Sequence, residues 1–155
     1  MKQTLFVVYM LSVGAMVGVE LAVGLMMAPV IFNPSLFLGE GVLSHYQSGI
    51  LMTQVFLRFN MALLIVTLFG ALYEVVAFKQ GRGDKWAFGA TVIVVYAAMM
   101  FIFYYTPFIV EAQAVGPEAT QTDVFASMHK GSEWMVKVLL MAQVVVFGRR
   151  IWVKK

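Results

Sequence analysis

Glu20, Arg58 and Lys137 are ionisable residues set inside long apolar stretches of a 155-residue chain. A charge in hydrocarbon is costly enough that each is a functional candidate by default. Glu20 lies ten residues before Val30, and Arg58 nine after Gly49. At the helical rise of 1.5 Å per residue both sit about 14–15 Å below the outer ends of their segments, so they are expected to pair. A carboxylate at that depth can relay protons or ions by changing protonation. The plainer alternative is a static ion pair pinning the first helix to the second. Gln54 shares the Arg58 face, whereas Asn60 points about 200° away, so the expected buried polar centre is Glu20, Arg58 and Gln54.

A second set lies toward the outer side. His129, Glu133, Lys137 and Met141 recur at intervals of four and line one helix face. Glu133 four residues before Lys137 is the favourable order for an intrahelical pair, with the lysine snorkelling outward. With Glu111 and His45, His129, Glu133 and Lys137 form an expected outer vestibule above Glu20. His45 and His129 are the only histidines. With a nearby carboxylate they could bind a transition metal, or as a pair hold a haem, and quinone or copper chemistry belongs to the same redox alternative. No HxxxH or HxxE spacing supports it, so the expectation is no cofactor, with the histidines as interfacial hydrogen-bonders. The twelve methionines are dispersed and read as packing filler. No nucleophile elbow, phosphate-binding glycine loop, Ser/His/Asp set or metalloprotease motif is present, which leaves no basis for a hydrolase or ATPase.

The elements that must position these groups are helices at about 4–32, 49–78, 86–109 and 123–153, each with an apolar stretch long enough to span a bilayer, that of the last being about 134–153. With 61% hydrophobic and 12% charged residues and a mean hydropathy of +0.85, an ordinary soluble domain is excluded. The first segment exceeds a signal peptide's apolar core and is expected to be retained. Lys2, the loop cations Lys79, Arg82 and Lys85, and Arg149, Arg150, Lys154 and Lys155 make eight of the eleven basic residues. Their clustering puts both termini in the cytoplasm. The same topology accounts for the +3 charge, so no nucleic-acid partner follows. The absence of cysteine removes disulfides and thiolate ligands.

The segment after the first helix, 33–48, is amphipathic and rich in breakers, as expected of a short interfacial element. The tight polar turn at 79–85 makes the second and third helices a hairpin. Pro107 is expected to end or kink the third, and Thr120-Gln121-Thr122-Asp123 to cap the fourth. Gly14, Gly18 and Ala22 form a small-residue stripe, which fits either a central helix or a dimer seam. Trp86, Trp152, Tyr46, Tyr104, Tyr105 and Trp134 fall where interfacial aromatic anchors belong.

Ala28-Pro29-Val30-Ile31-Phe32, followed by a short segment and a second long helix, and His129-Lys130-Gly131-Ser132 at the start of the last helix, resemble the transmembrane-protein-205-like family. That resemblance implies a small four-helix membrane protein and carries over no biochemical activity. The sequence thus points to an all-α integral membrane four-helix bundle in the bacterial inner membrane. Its partners are the lipid bilayer and either a second copy or a larger membrane complex. Its expected role is transport or membership of that complex, with the redox protein as the alternative.

Overall fold

The computed structural model describes residues 2–153, with side chains from 3 to 152; Lys154 and Lys155, counted above among the orienting cations, lie outside the described residues. Helix α1 runs through Lys2–Ala22, a π-helical turn at Val23–Met27 and a last turn at Ala28–Phe32. The short α2 is Ser35–Leu38, α3 is His45–Lys79, and α4 runs through Lys85–Met100, a second π turn at Phe101–Tyr105 and Thr106–Val115. A 3-10 turn at Ala119–Gln121 leads into α5, Asp123–Val153. No strand occurs among the described residues.

Helices α3, α4 and α5 each open on a capping side chain that satisfies amide groups the helix itself leaves free. Ser44 and Gln47 form a reciprocal capping box at α3. Asp84 accepts from the Ala87 amide at 2.8 Å at α4. Thr122 accepts from the Phe125 amide at 3.2 Å at α5. Gly81 ends α3 in the left-handed region, at φ +70°, which a side chain would oppose.

Pro29 and Pro107 do not end their helices. Each lacks the N–H that an α-helix would use, and the turn before it widens instead. The Ala28 amide donates to the Val23 carbonyl and the Thr106 amide to the Phe101 carbonyl, both five residues back. The expected break or kink at Pro107 is therefore a π turn through which α4 continues to Val115.

Helix α1 packs against α3 and α5, α4 packs against the same two, and the α4–α5 contact is the most extensive. Met16, Phe59, Leu63, Val94, Phe101 and Leu139 meet at the centre. Tyr9, Val13, Tyr73, Ala90 and Val146 form a second cluster nearer the termini. Leu11, Leu25, Met61, Leu72 and Met141 are exposed, while Glu20, Asn60, Glu74, Gln143 and Arg150 are buried. That inversion of the soluble pattern suits a lipid surround. The stretches Gln3–Phe32, His45–Lys79 and Lys85–Val115 are each long and apolar enough to cross a membrane; α5 is as long as these but more polar.

Candidate functional site

The end of the helices away from the termini encloses two adjoining cavities. The larger, about 370 Å³, opens between α1 and α5, with Glu20, Gly24 and Ala28 on one wall and His129, Glu133 and Lys137 on the other. The smaller, about 120 Å³, is lined by His45, Tyr46, Gly49, Thr53, Gln113 and Phe125. Phe32, Met52, Phe56, Phe101, His129 and Ser132 line both. Both π turns border this space, Gly24 and Leu25 from the first and Phe101 from the second. A widened turn sets side chains off the α-helical register, a device frequent at functional sites.

Glu20 is only 4% exposed. One carboxylate oxygen accepts from Gln143 Nε2 at 2.9 Å, and the other has no hydrogen-bond partner. Arg58 does not reach it. The guanidinium is exposed and donates to the Gln54 carbonyl of its own helix at 2.8 Å, and Gln54 too is exposed. The expected Glu20–Arg58–Gln54 centre is thus corrected to Glu20–Gln143. Arg58 and Gln54 share a face, as their spacing requires, but α3 turns that face outward and buries Phe59, Asn60 and Leu63 instead. Asn60 spends its amide N–H on Thr106 Oγ1 at 3.0 Å, tying α3 to the second π turn.

At the mouth of the larger cavity His129 Nε2 lies 3.3 Å from Glu133, and Lys137 Nζ lies 4.0 Å from the same carboxylate and over the Trp134 ring. All three are exposed by about half, which makes these pairs weak. His129 and Ser132 border both cavities, and the Ser132 hydroxyl is held by the His129 carbonyl at 2.6 Å. His45 and His129 share the smaller cavity, whereas Glu111 is exposed and lines neither. Among the described residues no three His, Asp or Glu side chains come together as a metal site.

The small-residue stripe is divided. A Cβ on Gly14 would stand 3.1 Å from the Phe147 ring of α5, so Gly14 lets α1 and α5 approach, while Gly18 has open space above it.

A second polar centre, near the termini, was not foreseen as a site. Glu74, fully buried, accepts from Arg150 Nε at 2.7 Å, from a second Arg150 nitrogen, and from the Tyr9 hydroxyl at 2.8 Å. Arg150 also donates to the Arg82 carbonyl at 3.1 Å and lies over the Tyr73 ring. Beside it Arg149 grips Asp84 through two hydrogen bonds, at 3.1 and 2.6 Å. That contact, together with the Ala87 amide, holds the Asp84 carboxyl below its usual range against a smaller opposing effect of burial. The signal for Glu74 was a carboxylate within an apolar segment, masked because it lies near the segment's basic end. Gln143 had a comparable signal as an isolated amide in an apolar run.

Helices of this length and composition, closed around buried carboxylates, define an all-α protein of the membrane-spanning class. A family model described as "Domain of unknown function (DUF4149)" matches residues 11–118, and the chain belongs to that family. No curated protein and no solved structure matches it.

Proposed function

We propose that the protein is a four-crossing bundle of the bacterial inner membrane with both termini cytoplasmic, and that it transports an amphipathic small molecule taken into the cavity above Glu20. Packing supports a fourth crossing, since α5 runs beside all three parts of α4. The resemblance to the transmembrane-protein-205-like proteins belongs to this reading, and what supports it is that Phe32, His129 and Ser132 of the two motifs carrying it line the cavities together.

The observation that carries the reading is the Glu20 carboxylate, with one oxygen unpartnered, on a mostly apolar cavity of about 370 Å³, which lies in the usual range of about 300–1,000 Å³ for small-molecule sites. Glu133 and Lys137 offset each other, which leaves Glu20 to set the sign. The favoured ligand therefore has an apolar body and one cationic, hydrogen-bond-donating head, as a lipophilic amine does.

Equilibrium dialysis of the purified protein with the fluorescent amine quinacrine tests this. Saturable binding is expected, weakened about tenfold or more by Glu20→Gln, the equivalent of one hydrogen bond to a charged group. In proteoliposomes the same variant should abolish flux while remaining folded. Equal binding by both proteins removes Glu20 from the site.

The redox alternative draws on His45 and His129 facing one cavity, but at about 120 Å³ that space is small for a macrocycle. A Soret band or stoichiometric metal in mildly extracted protein, lost on replacing both histidines by alanine, would establish it instead.

A further inference from the structure

Between the two polar centres lies a third, much smaller cavity of about 20 Å³, lined by Tyr9, Thr67, Gly70, Thr91 and Gln143. Two buried polar atoms on its walls, Thr67 Oγ1 and Gln143 Oε1, have no hydrogen-bond partner. One water needs about 10–15 Å³ of such space and two to four polar partners. Here the two unpartnered atoms supply two, and the Thr91 and Tyr9 hydroxyls on the same wall are the further candidates.

We infer that a buried water held by Gln143 and Thr67 joins Glu20 to Tyr9 and completes a file of polar groups that carries protons through the bundle. In order, the file is Glu20, Gln143, the water, Tyr9 and Glu74, ending beside Arg150 and the Arg82 carbonyl. These members come from α1, α3 and α5, with Thr91 supplied by α4, so the route follows the interior axis where the helices meet. Gln143 is the gate. Its amide N–H donates to Glu20, so the carboxyl reaches the water only when a rotation of Gln143 exchanges that bond for one from the water, which keeps the buried oxygen from being left unpaired.

A proton entering from the vestibule makes Glu20 a carboxylic acid. Glu20 then gives that proton to the water, the water gives one to the Tyr9 oxygen, and Tyr9 releases its own to Glu74. Glu74 sheds it at the loop end beside Arg150. Once the Tyr9 hydroxyl turns back to Glu74, the water reorients and Gln143 returns to Glu20, every group is in its starting state and one proton has crossed. The charged and titratable groups facing the file are Arg150 and Tyr73 at one end and His129, Glu133 and Lys137 at the other. In this form the file supplies the coupling ion for the transport reading on which it rests.

The test uses the full chain in phosphatidylcholine and phosphatidylglycerol vesicles with trapped pyranine, driven by a valinomycin-clamped potassium gradient. Wild type should acidify the lumen. Thr67→Val, which keeps the shape and removes the hydroxyl, and Tyr9→Phe should each slow this about tenfold, the rate equivalent of one lost link. Thr67→Ser should restore it. No uptake by wild type, wild-type rates in either Thr67→Val or Tyr9→Phe, or failure of Thr67→Ser to restore uptake overturns the file. Quinacrine dialysis on the same preparations separates the two ideas. Proton uptake with no amine binding leaves the file and removes the ligand reading, and binding unchanged in variants that still pass protons does the reverse.

Discussion

Removing the Glu74 carboxylate should unfold this protein more readily than any other single change near the termini. Glu74→Ala leaves the Arg150 guanidinium 6% exposed with its two carboxylate bonds gone, and strips the Tyr9 hydroxyl of its acceptor. Breaking a buried pair from one side costs about 3–5 kcal/mol, because the remaining charge is left uncompensated. Arg150 keeps one bond, to the Arg82 carbonyl, and its place over Tyr73, so the lower half of that range applies. Replacing both partners, as Glu74→Met with Arg150→Met, removes the stranded charge as well as the attraction and should recover most of the loss. The assay is a double-mutant cycle by denaturant unfolding in detergent micelles, followed by far-UV circular dichroism. A loss under about 1 kcal/mol for Glu74→Ala, or a double variant whose loss is the sum of the two singles, would refute the buried latch.

Three further outcomes follow from the same geometry. Asp84 is held below its ordinary range chiefly by Arg149, so protons favour the unfolded chain. The stability it adds is full above the unfolded value near about pH 4 and is lost as pH falls through the lower folded value. The gap in thermal midpoint between wild type and Asp84→Asn should therefore close on acidification, and a constant gap would exclude the pair as its source. Arg58→Met should change detergent stability by no more than about 0.5 kcal/mol, as for a surface site; a loss of several would restore a buried ion pair. Gly14→Leu should cost about 1–3 kcal/mol by crowding Phe147. Gly18→Leu should leave the monomer's stability alone, so a change in its sedimentation would identify the Gly18 face as a contact between copies.

Much of the architecture was legible because hydrophobic length and capping chemistry act locally. The apolar runs, the tight turn at 79–85 and the cap within Thr120-Gln121-Thr122-Asp123 depend on neighbours in sequence, and periodicity alone placed His129, Glu133 and Lys137 on one face. What periodicity cannot supply is the rotation of a helix about its axis against its neighbours. Glu20 and Arg58 were matched by depth, yet α3 turns Arg58 outward and commits Asn60 to Thr106, while Glu20 meets Gln143, 123 positions later. The prolines show the same division. The missing N–H is a property of the residue, but whether the helix breaks or widens into a π turn is settled by packing, here with Asn60 and Thr106 bracing the second turn. By itself the sequence determined an all-α chain with segments of membrane length and one buried carboxylate, Glu20, because these follow from composition and local hydrogen bonding. Only the tertiary structure decided which polar groups meet, because contacts between distant helices depend on facing and register.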